Sequence, residues 1–238
     1  MWDKIVLLFS FVIGTVFGSF ANVLIYRPIA GLKINEPRFS MCPVCKKRIA
    51  WYDNIPLLSY IILRGRCRTC GSKISLRYPI IELVFGIVFL LNHIIFPLDI
   101  ATCFDLLFLV NLPAVFTDLK MMLLPDYTWI VTLGVGIYLN IQYFRSFILL
   151  DLIGGILALS ILLFLRWRYK GGIGEGDIFL FPVYSFAVGF LFMPFLMFIS
   201  SISGLLFSKF RKSRVVPFGP FIIATGYLFL MIRLINNI

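Results

Sequence analysis

The sequence predicts an all-α polytopic membrane protein of about eight transmembrane helices with a cytoplasmic zinc-knuckle loop. Three observations carry this. The 238 residues are 61% hydrophobic, with a mean hydropathy of +0.99. Apolar runs of about 18 or more residues recur along the chain, the length a helix needs to cross a bilayer. The 22 Lys and Arg residues crowd into the stretches between those runs, as expected of loops facing anionic lipid on the cytoplasmic side.

The first run, 5–26, follows Lys4 and ends at Tyr26. It is long enough to span, carries Asn22 near its end and shows no clear small-x-small cleavage site, so it is expected to be a retained anchor and not a signal peptide. Residues 27–78 form the longest polar segment. Further spans are expected near 79–97, 100–117, 127–144, 147–166, 178–190, 192–207 and 216–235. The domain organisation expected is a first transmembrane helix at 1–26, a cytoplasmic four-cysteine zinc loop at 27–78 and a seven-helix membrane core at 79–238.

The stretch 178–207 can be one long helix or two short ones meeting near Gly189 to Pro194. Positive charge decides. Lys and Arg number eleven in 27–78, one in 118–126, three in 166–177 and four in 208–215. With eight spans those nineteen all face the cytoplasm, and only Lys4, Arg145 and Arg233 remain outside. Seven spans would move Lys209 to Arg214 outward. Eight spans with both termini outside therefore fit better, with the two short spans as a tight hairpin. Pro182 near the start of that hairpin predicts irregular backbone, which at membrane depth needs cover from protein or a cavity.

The net charge of +11 does not indicate nucleic acid. The cations lie between apolar runs, no aromatic-basic module accompanies them, and their expected partners are membrane lipids.

Two knuckles stand in the 27–78 loop, Cys42-x-x-Cys45 and Cys67-x-x-Cys70, separated by twenty-one residues. Each puts two thiolates on a turn, and together they complete a tetrahedron, which predicts structural zinc. Gly65 and Gly71 ease the second turn. Disulfides are the alternative, and a reducing cytoplasm disfavours them. Four cysteines leave no open coordination position, so a catalytic zinc is not expected. Cys103 stands alone in a span as a small apolar residue.

Most of the eleven acids have ordinary roles. Asp105 and Asp151 fall in outer parts of spans, where they are expected to pair with polar groups or reach the interface. Glu82 lies one turn into the second span, facing the bundle interior or the headgroups. Asp118, in "FTDLKMMLLPD", closes the third span, and Asp177, in "GIGEGD", opens the sixth. The topology puts both at one depth on one side. Two carboxylates there can share a proton, one acting as base toward water while the other polarises a peptide carbonyl. Gly174 and Gly176 let the backbone pass close to Asp177 and leave room for an extended substrate, with Glu175 between them. Asp177 would also serve as a helix N-terminal residue, whereas Asp118 at a C-terminal end gains nothing from the helix dipole. No H-E-x-x-H motif occurs and His93 is the single histidine, which excludes His-bearing zinc proteases and Ser-His-Asp hydrolases.

These segments, in this order, resemble the bacterial type IV prepilin peptidases. "GSFANVLIYR" at 18–27 is similar to the first-span signature of that family, followed by the paired knuckles and "RYPIIELVFG" at 77–86. "TDLKMMLLPD" at 117–126 resembles the segment with the first catalytic Asp, matching Asp118. "GIGEGD" at 172–177 resembles the G-x-G-D motif, matching Asp177. "VPFGPFIIATG" at 216–226 resembles the last-span signature. The resemblance implies removal of a short basic leader from prepilins or pseudopilins of pilus, type II secretion or competence systems. The cut is made at the cytoplasmic face of the inner membrane. In many members S-adenosylmethionine-dependent methylation of the new N-terminus follows. Glu82, Glu175 and Asp126 are the acids available to meet a basic leader. The chain departs from the family at Phe179, where Lys is common, and in the bulky "FLFPVYSF" that begins there. No Gly-rich fingerprint marks a methyl-donor site. A peptidase without methyl transfer, a non-enzymatic scaffold of a secretion or pilus system, and a small proton-coupled transporter are the alternatives. A transporter should hold its acids near the bilayer midplane.

Overall fold

The computed structural model describes residues 2–170, 172–211 and 216–236. Ser213 and the cations Lys212 and Arg214, used in the charge count, lie outside the described residues. The described residues are helical and contain no named strand. Helix α1 is Trp2–Ile29, α2 Leu58–Ile62, α3 Arg77–Ile95, α4 Leu98–Met121, α5 Asp126–Tyr143, α6 Ile148–Arg168, α7 Glu175–Val188, α8 Met193–Arg211 and α9 Gly219–Ile235. Apart from the short α2, a helix stands at each predicted span.

Among the described residues, five helices can cross a membrane by length and composition: α1, α3, α4, α6 with the 3-10 turn before it, and α8; α9 is a shorter apolar helix. Helix α7, with 14 residues, reaches only about 21 Å at 1.5 Å per residue, short of a hydrocarbon core about 30 Å thick. The apolar window of α6 is 17% buried and that of α1 33%, while that of α4 is 61% buried. Such a contrast separates helices with much uncovered apolar surface from one that is largely covered.

Two compact units are present, residues 1–109 and 110–238, so the first half of α4 belongs to one and the second half to the other. In the first unit α1 packs along α3. Glycines set their approach: a Cβ on Gly14 would lie 2.6 Å from the Phe85 carbonyl oxygen, and one on Gly18 2.7 Å from the Glu82 Cα. Asn22 donates to the Tyr78 carbonyl at 3.2 Å. At the end remote from the cysteine loop, Asn92 Nδ2 donates to Asp105 Oδ1 at 2.7 Å and His93 Nδ1 lies 3.5 Å from Asp105 Oδ2. Asp105 thus finds polar partners, as expected.

In the second unit α7 is the central helix, packed by α5, α6 and α9. Ile178, Leu180, Phe181, Tyr184, Ala187 and Val188 are buried along it, which explains why it is apolar on all sides. It runs through Pro182 without interruption. The irregular backbone expected at that proline falls instead at Gly189, whose φ of +94° ends the helix. That turn is pinned. Asp151 Oδ1 accepts from the Phe190 N–H at 3.0 Å, and its Oδ2 pairs with Arg233 Nη2 at 2.5 Å. The Arg233 guanidinium also donates to the Ala187 carbonyl and lies 3.7 Å from the Phe144 ring centroid. The second outer acid is therefore paired too. Helix α8 starts at Met193 and extends to Arg211, beyond the 192–207 expected.

Candidate active site and metal centre

Asp118 sits in the last turn of α4, 5% exposed. Helix α4 outruns its predicted end at 117 and stops where Met122 takes a φ of +55°, the left-handed conformation that closes helices. The Met122 N–H donates to the Asp118 carbonyl at 2.9 Å. The connection 122–125 to α5 is short and carries Leu124 back beside the carboxylate. Asp118 Oδ2 accepts from the Gly219 N–H at 3.0 Å, at the start of α9.

Asp177 is the third residue of α7, after Gly174 at the N-cap in extended backbone. Its Oδ1 is buried and has no hydrogen-bond partner. A Cβ on Gly174 would lie 3.1 Å from Asp177 Oδ2, so the bare backbone keeps that oxygen clear. The two carboxylates are within Coulombic reach of each other. Leu124 is packed between two glycines. A Cβ on Gly176 would lie 2.6 Å from Leu124 Cβ, and one on Gly219 would lie 2.7 Å from Leu124 Cδ2 and 2.8 Å from Asp118 Oδ2.

A second contact fixes the register of these helices. Asn111 Nδ2 donates to Tyr184 Oη at 2.7 Å, and both residues are buried. Asn111 precedes Asp118 by seven residues on α4, and Tyr184 follows Asp177 by seven on α7. Seven residues return to the same helix face about 10 Å along the axis. Helices joined at the Asn111–Tyr184 rung therefore present Asp118 and Asp177 toward one another two turns away. Gly226 of α9 lets Tyr184 pack there: a Cβ on it would overlap the phenol ring. Sequence reasoning missed Asn111, Tyr184, Leu124 and Gly219.

The other predicted residues lie elsewhere. Glu175 is exposed and accepts from Arg166 Nη2 at 2.9 Å. Glu82, in the first unit, is buried and accepts from the Leu57 N–H at 2.8 Å, tying the cysteine-bearing loop to α3. Phe179 stacks on Trp129, with ring centroids 5.4 Å apart. Trp129 Nε1 donates to Asp126 Oδ1 at 3.3 Å.

The four knuckle sulfurs, Cys42, Cys45, Cys67 and Cys70, lie within 4.8 Å of one another. A tetrahedron with zinc–sulfur bonds of about 2.3 Å has edges of about 3.8 Å, and Cys42 Sγ lies 3.9 Å from Cys70 Sγ. The donor set fits zinc. The knuckles are copies offset by 25 residues. The Cys42 N–H donates to Lys47 O and the Lys46 N–H to Cys42 O, just as the Cys67 N–H donates to Ser72 O and the Gly71 N–H to Cys67 O. Lys46, with φ of +59°, takes the left-handed position that Gly71 fills in the second copy. The thiols do not hold their protons alike. Burial opposes ionisation of Cys42, but the backbone N–H groups of Cys45 and Val44 and the Ser72 hydroxyl hold it down to about 6. At Cys45 the Lys47 backbone opposes the rise, yet desolvation and the Cys42 and Cys70 sulfurs push it up to about 11.

A polytopic helical chain that gathers four cysteines in one loop and brings two aspartates into one buried site has the makings of a membrane peptidase. Residues 12–96 match the bacterial peptidase A24 N-terminal domain and residues 103–208 match the type IV leader peptidase family. Among curated relatives, the prepilin leader peptidase/N-methyltransferase of Vibrio cholerae is 36% identical, covering 96% of this chain and 97% of the relative. The protein of that name from Legionella pneumophila is 34% identical over 89% of this chain and 86% of the relative. The type 4 prepilin-like proteins leader peptide-processing enzyme of Escherichia coli is 34% identical over 90% and 91%. No solved structure matches. The chain belongs to the type IV leader peptidase family.

Proposed function

We propose that this protein is an aspartic endopeptidase of the bacterial cytoplasmic membrane. It removes the basic leader of type IV prepilins or pseudopilins and methylates the new N-terminal residue. Asp118 and Asp177 are the catalytic pair. The observation that carries this is the unpartnered, buried Oδ1 of Asp177 beside the Asp118 carboxylate. A buried polar atom without a partner is costly, and a water between two carboxylates would satisfy it.

The pair shares one proton and titrates as a unit. Water attacks the scissile carbonyl carbon and gives its proton to the ionised carboxylate. The protonated carboxyl gives its proton to the carbonyl oxygen. As the tetrahedral intermediate collapses, the C–N bond breaks. The amine leaves with the proton held by the first carboxyl, and the second recovers its proton from the hydroxyl that becomes a carbonyl. The Gly219 N–H orients Asp118 throughout, and Gly174 and Gly176 leave backbone room for an extended substrate. Both Asp residues and the cysteine loop are assigned to the cytoplasmic side, in an eight-span arrangement with both termini outside, in which the short α7 crosses inside its neighbouring helices and not against lipid; the charge distribution supports this.

Zinc, held by the four cysteines, stabilises the loop. Methyl transfer from S-adenosylmethionine is supported by the names of the relatives, and no residue is assigned to the donor, since no donor fingerprint is present. Reconstitution with a synthetic prepilin and mass measurement of the product tests both activities. Leader loss with one added methyl mass is expected; an intact substrate contradicts the proposal, and cleavage without methyl mass removes its second half.

A further inference from the structure

An open cavity of about 520 Å³ lies beside the second knuckle, lined by Tyr60, Arg64, Gly65, Arg66, Lys73 and Leu76 among others. Three of these are cations and no lining residue is acidic. Among the described residues none of the three cations is in an ion pair. Arg66 and Lys73 stand opposite each other in an antiparallel bridge, where like charges repel. The first knuckle shows that the turn does not demand this: there the bridge joins Met41 to Arg48, with one cation. The cavity is also built on special backbone. Arg64 and Gly65 both have positive φ, +50° and +66°. A Cβ on Gly65 would lie 2.7 Å from Tyr60 Oη. Gly65 is held in place because its N–H donates to the Tyr60 carbonyl at 2.9 Å and its carbonyl accepts from the Ile74 N–H at 2.8 Å.

An anion relieves the repulsion, and the surroundings say where it comes from. Leu76 lines the cavity and is 63% exposed, and the next residue, Arg77, begins a membrane-spanning helix. Ile61 and Ile62 of α2, just before Arg64, are 70% and 63% exposed. Apolar side chains beside cations at the mouth of a span match the boundary between acyl chains and phosphates. We propose that this cavity binds the phosphate of an anionic phospholipid headgroup, clamped by Arg64, Arg66 and Lys73. Arginine forks suit phosphate geometry. Bound lipid anchors the knuckle loop to the membrane surface next to α3.

The test uses full-length protein in detergent, with phosphatidylglycerol and phosphatidylcholine binding read by native mass spectrometry. Neutralising the three cations together (R64Q/R66Q/K73Q) should weaken phosphatidylglycerol binding roughly a hundredfold, about fivefold per cation, with zinc content unchanged. The charge-preserving R64K/R66K/K73R should keep the lipid, which separates charge from folding. Unchanged phosphatidylglycerol binding by the triple Gln variant would overturn the proposal. Equal binding of phosphatidylcholine by the unaltered protein, or displacement of the lipid by millimolar inorganic phosphate, would overturn it too. The test leaves Asp118 and Asp177 untouched, so its outcome is independent of the peptidase assignment.

Discussion

Gly219→Ala perturbs the proposed site with a single methyl group. The added Cβ would lie 2.8 Å from Asp118 Oδ2 and 2.7 Å from Leu124 Cδ2. Ordinary contact begins near 3.4 Å, so each neighbour must retreat by about 0.6 Å. Leu124 has little room to retreat toward α7, where it lies so near Gly176 that a Cβ on that glycine would be 2.6 Å from Leu124 Cβ. The Asp118 carboxylate must therefore rotate, which breaks the hydrogen bond from the Gly219 N–H. Overpacking of this kind costs about 1–3 kcal/mol of stability, which a membrane bundle survives. Catalysis is less tolerant: a displacement approaching 1 Å costs roughly a hundredfold in rate. The expected phenotype is a folded, zinc-loaded protein whose cleavage of a synthetic prepilin in liposomes falls about a hundredfold in kcat. Adding Leu124→Ala relieves one clash but not the one with Asp118, so it should restore stability more than rate. Cleavage by Gly219→Ala at the normal rate would refute the reasoning, because Asp118 would then not depend on its contact with α9.

Other outcomes follow from the same structure. Tyr184→Phe removes the acceptor for buried Asn111 and should destabilise the protein by about 1–3 kcal/mol in detergent thermal unfolding, with slower cleavage because α4 and α7 lose their rung. Arg233→Met strands the buried Asp151 carboxylate and should cost about 3–5 kcal/mol, whereas Arg233→Met with Asp151→Leu should recover most of it; equal loss in both would show that the pair carries no such penalty. Metal analysis should find about one zinc per chain, as a closed four-thiolate site requires, and replacing Cys42, Cys45, Cys67 and Cys70 by Ser should abolish it; zinc retained by that variant would place the metal elsewhere.

Much of this was legible in the sequence because it depends on short-range pattern. Apolar runs mark the helices, since a span of lipid or protein interior must be filled with apolar side chains. The C-x-x-C spacing marks the knuckles, since two thiolates on one turn have few other uses. Long-range pairings were not legible. Gly219 meets Asp118 across 101 residues of chain, and Arg233 meets Asp151 across 82; nothing local in either sequence names its partner. The end of α4 was misplaced because "TDLK" reads as a polar loop, yet the helix continues and carries Asp118 into buried surroundings. The turn at Lys46 gave no signal either, because its left-handed backbone is imposed by the knuckle and not by glycine. Pro182 suggested a break that α7 does not make, since the buried packing on all sides of that helix outweighs one missing hydrogen bond.

Cleavage of a synthetic prepilin by Asp118→Asn and by Asp177→Asn, followed by mass in a reconstituted membrane, tests the proposed pair most directly. Asn keeps the shape but cannot exchange the proton, so each single change should abolish leader loss, and the double change should be little worse, because the two residues act as a unit. Zinc content should be unaltered in all three, as neither Asp belongs to the cysteine loop. Glu175→Gln serves as the control: Glu175 is exposed and paired with Arg166, and its loss should leave measurable cleavage. Cleavage at near the normal rate by either Asp→Asn protein would contradict the account.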